Sequence, residues 1–479
     1  MKIDQIDSRK SEIYLLIAES YFFLKDNEQG KKFLKKTLDL VSTKESLNKI
    51  YNILTNFKEY TEAIRIIKNS EFSRKDPDFL CKIAKSLIAK KKFSEAKEYL
   101  KRAIKIDSKN PEYFNELGVI YSILGENNLA EKEFCNCIDL DSSNGSSHHQ
   151  LSLLNFKISN FQLKSLEEKY QNETTFNLNK IYLGLALSNF NEKKKEYNKS
   201  FELLNECNSQ YKRNYIDKSE WSFNHEKNTF KNVQLLYAEN YKLLDLKPTH
   251  IKPVFILGLP RSGTTLVEQI ISNSVEIFAG GELTYFHDEF ESTFNGLLNE
   301  NFTPSKIDSS DLERIQLNYL KKVESDKKIF TDKLPVNFMY MGFIQSIFPN
   351  SKIILCRRNK LDNLLSLFKT FFTASHFNYS YDLVSLRAYY NLYTKLVTFW
   401  NDMKVNYYSL NYEELVKDPE NQVRNLCNYI GIKFQDNLLN FHKNKRPVHT
   451  ASFHQVRKPI FKSSINNWRN YKDHLELLI

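Results

Sequence analysis

A period of about 34 residues runs through the front of the chain, and a sequence that repeats on this scale folds as stacked copies of one small unit, not around a single core. Ile83, Ala84, Leu87, Ala96, Leu100 and Ala103 fall over Leu117, Gly118, Tyr121, Ala130, Phe134 and Cys137 on this grid. Two earlier copies run through Ile50, Tyr51, Leu54, Ala63 and Ile67, and through Ile17, Ala18, Tyr21, Gly30 and Leu34. Every one of these positions is apolar or small. Small residues recurring beside large ones describe paired helices in close approach, with the large side chains filling between them. Pro77 and Pro111 open their copies at the first helical position, where no backbone donor is needed. Four copies result, and 145–154 reads as the start of a fifth.

From Phe156 to about Leu246 the grid fails, although 181–187 and 200–204 still carry the pattern of amphipathic helices. The expected organisation is a repeat array over 1–155, an irregular helical cap or linker of that array over 156–247, and a separate domain over 248–479. A chain of 479 residues is long enough for several cores. With 41% hydrophobic residues and only 12 Gly and 11 Pro it is no low-complexity sequence.

The pattern changes at Val254, where Val-Phe-Ile-Leu (254–257) has the continuous apolar character of a buried parallel strand. Gly-Leu-Pro-Arg-Ser-Gly-Thr-Thr follows at 258–265, and an amphipathic helix begins at once with Leu266. Strand, tight loop and helix in this order bring backbone N–H groups and a helix N-terminus around an anion. The spacing is that of the nucleotide-binding P-loop, but Thr264 stands where the lysine serving the β- and γ-phosphates belongs. That replacement argues against ATP or GTP hydrolysis. Arg261, inside the loop, offers a planar fork of donors instead.

Two resemblances emerge from these segments. The helical copies, best at NELGVIY (115–121) and NLAEKEF (128–134), resemble the tetratricopeptide repeat. The loop PRSGTT resembles the 5′-phosphosulfate loop of the sulfotransferase family, with motifs in family order over 252–473 that are similar to bacterial relatives of the protein-tyrosine sulfotransferases. The resemblance implies a three-layer α/β domain with a parallel sheet related to P-loop kinases. It also implies 3′-phosphoadenosine-5′-phosphosulfate (PAPS) as co-substrate and no metal. Arg261, Ser262, Gly263, Thr264 and Thr265 would then hold the 5′-phosphosulfate. Arg358, ending a strand at 352–356, and Ser366, eight residues on in a helix, match the family's 3′-phosphate ligands; Asn359 and Lys360 depart from the usual Asp-Pro after the arginine.

Sulfuryl transfer to a hydroxyl needs a base, positive charge on the bridging oxygen, and donors around the sulfonate in flight. By resemblance Glu282 is the base, Lys333 neutralises the bridging oxygen, and Arg261 and Ser452 contact the sulfonate. Tyr412 matches a residue packed near the nucleotide, and Arg457 and Lys458, in a closing segment, are within its reach. Asn467 stands where some relatives carry a lysine. The small-molecule enzymes of the family use a histidine base, but His287, His376, His442, His449 and His454 lie in no recognisable histidine motif.

The net charge of +11 suits a polyanionic partner without choosing one, and nucleic acid is not the expectation. Six scattered cysteines, no apolar run of signal or membrane-spanning length and no zinc spacing predict a reduced, cytoplasmic protein with no membrane span. The array suits a protein or peptide, substrate or partner, and equally suits a homodimer. The expected activity is sulfuryl transfer from PAPS to an acceptor hydroxyl; a protein tyrosine is one candidate acceptor, and lipid, polysaccharide and small phenol acceptors stay open. The alternatives are a nucleotide kinase on a P-loop fold and a non-catalytic repeat scaffold.

Overall fold

A computed structural model describes residues 2–40, 43–241, 246–294, 296–323, 325–444, 446, 456–457, 459–460 and 464–479. The chain divides into two compact units, Met1–Phe156 and Lys157–Ile479. In the first, antiparallel helix pairs follow one another: α1 (Lys2–Phe23) with α2 (Asn27–Leu40), α3 (Lys44–Asn56) with α4 (Tyr60–Asn69), α5 (Pro77–Ala89) with α6 (Phe93–Ile106), and α7 (Pro111–Leu124) with α8 (Asn127–Leu140). A further helix, α9 (Gly145–Leu153), packs on α8. Asp76 and Asn110 cap α5 and α7 through the N–H groups of Asp78 and Glu112, with Pro77 and Pro111 at the first position. The recurring small residue has a steric cause. A methyl group added at Gly118 would sit 2.6 Å from the Phe134 ring, so only glycine lets α7 and α8 approach this closely.

In the second unit the helices α10 (Asn160–Asn172), α11 (Leu178–Lys193), α12 (Tyr197–Tyr211) and α13 (Phe223–Asn240) precede the sheet. There the structure differs from the expected cap of the array. Ile181, Phe201, Leu204, Phe230 and Val233 share one buried core with Phe255 and Leu257 of the first strand. Asn208 on α12 donates to the carbonyl of Phe368 at 2.8 Å, and Asn232 on α13 donates to the carbonyls of Leu297 and Asn299. The apolar faces of these helices cover the sheet domain, which is why they carry no repeat grid.

The sheet comprises β1 (Lys252–Gly258), β2 (Ile277–Ala279), β3 (Ile329–Asp332), β4 (Lys352–Arg357) and β5 (Tyr408–Asn411), all parallel in the order β2-β3-β1-β4-β5. Between them run α14 (Thr264–Ile271), α15 (Tyr285–Thr293), α16 (Ser309–Lys322), α17 (Met341–Ile347), α18 (Lys360–Phe368) and α19 (Leu383–Asp402), followed by α20 (Tyr412–Lys417) and α21 (Pro419–Ile430). One face of the sheet packs Phe255, Leu257, Ile353 and Leu355 under α17 and α19; the other packs Val254, Ile256, Ile354 and Leu410 against α14 and α21. Both faces are therefore covered, as a parallel sheet requires, and the strands end together at one edge where ligands bind in folds of this class. Among the described residues no helix is long and apolar enough to cross a membrane.

Candidate functional site

β1 runs straight into the loop. Its apolar residues are buried, while Gly263, at φ +103°, turns the chain into α14. A side chain at 263 would meet the Tyr412 ring at 2.7 Å, so glycine serves both the backbone angle and the close approach. Gly263 has no side chain with which to cap α14, and a helix N-terminus is the kind of place where anions bind. Arg261 itself takes the left-handed conformation at φ +69°, a strain of about 1–3 kcal/mol of the kind concentrated at functional sites.

Arg261 Nε donates to Ser366 Oγ at 3.0 Å, and Arg358 Nη1 donates to the Arg261 carbonyl at 3.0 Å. The loop and the Arg358–Ser366 pair, about a hundred residues apart in sequence, thus meet at the ends of β1 and β4. The Arg358 guanidinium lies over the Tyr412 ring at 4.9 Å, and its Nη2 donates to the Ser464 carbonyl at 2.8 Å. Tyr412 Oη is 2.8 Å from Ser464 Oγ. Burial, reinforced by the neighbouring Arg358, lowers Arg261 to about 10. Two guanidinium groups brought this close to one another repel, and an anion between them would relieve the repulsion.

Ser262 is buried, and its Oγ has no hydrogen-bond partner among the described residues; nor has Arg358 Nε. Both residues line a cavity of about 170 Å³ with Leu259, Cys356, Asn363 and Tyr393. Thr264 and Thr265, also buried, begin α14. Asn359, which departs from the family's Asp-Pro, serves as the N-cap of α18, accepting from the N–H groups of Leu361 and Asp362.

A second group stands where β2 and β3 end. Lys333, with a fully buried side chain, forms an ion pair with the part-exposed Glu282, and the Lys333 N–H donates to the Gly281 carbonyl at 2.8 Å. Beside them, burial and the nearby Glu268 raise the carboxyl of Asp332 to about 8, against the opposing effect of a 2.9 Å hydrogen bond from Tyr319 Oη.

Ser452 and Lys458, expected to contact the sulfonate and the nucleotide, lie outside the described residues, as do His449 and His454. Arg457, expected within reach of phosphates, donates to the carbonyls of Asn444 and Arg446 and so ties one piece of chain to another. Asn467 is 3.5 Å from Glu192, which pairs with Lys369. His287 Nδ1 is 3.1 Å from Tyr340 Oη.

Sequence reasoning missed Asp362 and Glu268. Asp362, buried on α18, accepts from the N–H groups of Asn466 and Trp468 at 2.7 and 3.0 Å, holding the segment that carries Ser464. The available signal was an acidic residue on an otherwise apolar helix face, which is costly unless partnered.

Residues 253–436 match the family model described as sulfotransferase family, and 11–40, 77–110 and 111–144 match that of the tetratricopeptide repeat. An uncharacterised protein of Aquifex aeolicus (strain VF5) is 28% identical over 420 residues, 84% of this chain and 54% of that protein. The chain thus spans about half the length of this relative. Protein-tyrosine sulfotransferase 2 of Gallus gallus is 24% identical over 234 residues, 43% of this chain and 60% of that one. The sulfotransferase domain of the Synechococcus PCC 7002 olefin synthase aligns over 47% of this chain and 90% of its own length, with 21% identity and a TM-score of 0.34.

Proposed function

We propose, for a chain that joins tetratricopeptide repeats to a sulfotransferase-family domain, that it transfers a sulfuryl group from PAPS to an acceptor hydroxyl, with a protein tyrosine as the foremost acceptor. The observation that carries this reading is the meeting of Arg261 with Ser366 and Arg358. A loop without the P-loop lysine and a separate arginine–serine pair converge on one place, as a nucleotide phosphorylated at both 3′ and 5′ positions demands. Ser262 Oγ and Arg358 Nε, buried polar atoms without a hydrogen-bond partner among the described residues, fit such a ligand.

In this reading Arg358 and Ser366 hold the 3′-phosphate. The amides at the start of α14, with Thr264 and Thr265, hold the 5′-phosphosulfate, and Arg261 directs its fork at the sulfonate oxygens. Tyr412 packs beside the nucleotide. Bound PAPS supplies an activated sulfonate whose leaving group is the bisphosphate.

Glu282 takes the acceptor's hydroxyl proton as the acceptor oxygen bonds to sulfur, and Lys333 offsets the charge developing on the bridging oxygen as the sulfur–oxygen bond to phosphate breaks. The products are a sulfate ester, 3′,5′-phosphoadenosine and a protonated Glu282. In the ligand-free ion pair these two residues neutralise one another, so substrates must come between them for each to act. The protein-tyrosine sulfotransferase among its relatives supports the choice of acceptor, and repeats of this type suit presentation of a peptide. A cytoplasmic location belongs to the same proposal.

Calorimetric titration with 3′,5′-phosphoadenosine, against ATP with Mg²⁺, tests the donor site. Binding of the bisphosphate that Arg358→Ala abolishes is the expected result. Preference for ATP would overturn the reading in favour of a kinase, and absence of any nucleotide binding would favour a scaffold.

A further inference from the structure

We propose that Glu268 is the positioning residue that fixes the distance between the Glu282 loop and the Lys333 strand. Glu268 lies on α14, one turn beyond the phosphate loop, and is 3% exposed. Its Oε1 accepts from the backbone N–H of Gly281 at 2.9 Å and from Thr331 Oγ1 at 2.8 Å. Gly281 precedes Glu282, and Thr331 stands on β3 two residues before Lys333, which follows the end of that strand. A single oxygen therefore ties both members of the ion pair to the helix that begins at the anion-binding loop. Its other oxygen faces Arg446 Nη1 at 3.6 Å, which draws the C-terminal segment to the same point.

A carboxylate this deeply buried is costly unless every lone pair is used, and its removal would leave the Gly281 donor without a partner. Its neighbours Val267, Ile270 and Ile271 on α14 are apolar and buried, so an apolar side chain at 268 would not be out of place for packing alone. What an apolar residue lacks is an acceptor for two donors, one in the loop after β2 and one on β3. The geometry suits a task of placement, since a displacement of about 1 Å between a base and a reacting oxygen costs on the order of 100-fold in rate.

The kinetic consequence rests on the sulfuryl-transfer reading, whereas the placement does not, and the test separates them. Full-length wild type, Glu268→Ala and Glu268→Gln are compared for kcat and KM, for affinity toward 3′,5′-phosphoadenosine, for melting temperature, and for hydrogen exchange at amides 280–282. In Glu268→Ala the expected result is a kcat lower by about 100-fold, an unchanged bisphosphate affinity and accelerated exchange at Gly281. Glutamine keeps the acceptor oxygen, so Glu268→Gln should recover most of the rate and the slow exchange. An unchanged kcat in the alanine variant would overturn the proposal, as would a loss matched by equal losses of bisphosphate affinity and stability, or a glutamine variant no better than alanine. Should wild type transfer no sulfuryl group, exchange at Gly281 still decides: acceleration in alanine and not in glutamine supports the placement, and identical exchange refutes it.

Discussion

In the repeat array, partners are found one period away along the chain. Tyr113 Oη reaches Asp78 at 2.5 Å, Lys44 bridges to Asp76 and Asp78, and Ser147 Oγ donates to Asn115, each across 32 to 35 residues. In the second unit they are found anywhere: Arg261 and Ser366 are 105 residues apart, Asp362 and Trp468 106, and Lys252 and the Ile430 carbonyl 178. The array is held by neighbours and behaves as a sum of local terms. A site at the ends of parallel strands exists only once the whole sheet is assembled.

The contrast is exposed most strongly by substitutions on its two sides. Glu282→Gln should lower kcat by about 10²–10⁴-fold while leaving melting and bisphosphate affinity intact, measured by steady-state kinetics and calorimetry. Phe134→Ala should cost the array about 3–5 kcal/mol in denaturant unfolding, because Phe134 is fully buried against Gly118. Its bisphosphate affinity should match wild type; a loss there would show that the two units do not keep separate accounts of stability.

The pH dependence of melting should have opposite signs in the two units. Burial lowers His149, in the array, from 6.5 to about 4, so between these values the unfolded chain binds a proton that the folded one refuses. The array loses stability as pH falls through 6.5. Asp332, raised from 3.8 to about 8, keeps its proton in the folded state where the unfolded chain gives it up, so the second unit loses stability as pH rises over that range. Asp332→Asn should flatten the second slope and leave the first unchanged. The smallest effect is expected for Tyr113→Phe, which removes one hydrogen bond to Asp78 and should cost about 1 kcal/mol by thermal denaturation.

Legibility in the sequence followed the same division. The small–large grid exposed the helix pairs because each copy repeats the same contact, as Gly118 against Phe134 makes plain. The loop was legible because glycine angles and an anion's needs are local. Arg358 and Ser366 were readable as a pair only through resemblance, and their contact with Arg261 is a product of strand order. Glu268, Asp362 and Arg446 left no spacing to read, since each acts on chain far away in sequence. The helices between 157 and 241 carried apolar faces without saying which core they would cover.

The one-period reach of the array's bonds has a consequence for how such a chain changes over generations. Excising or duplicating a unit of about 34 residues returns each remaining helix pair to a neighbour with the same small–large pattern, so the array can lengthen or shorten in whole steps by recombination. Inserted residues between Arg261 and Ser366 enjoy no such freedom unless they fall in a surface loop. A lineage can therefore revise its front half by copying, while its back half must be revised one residue at a time.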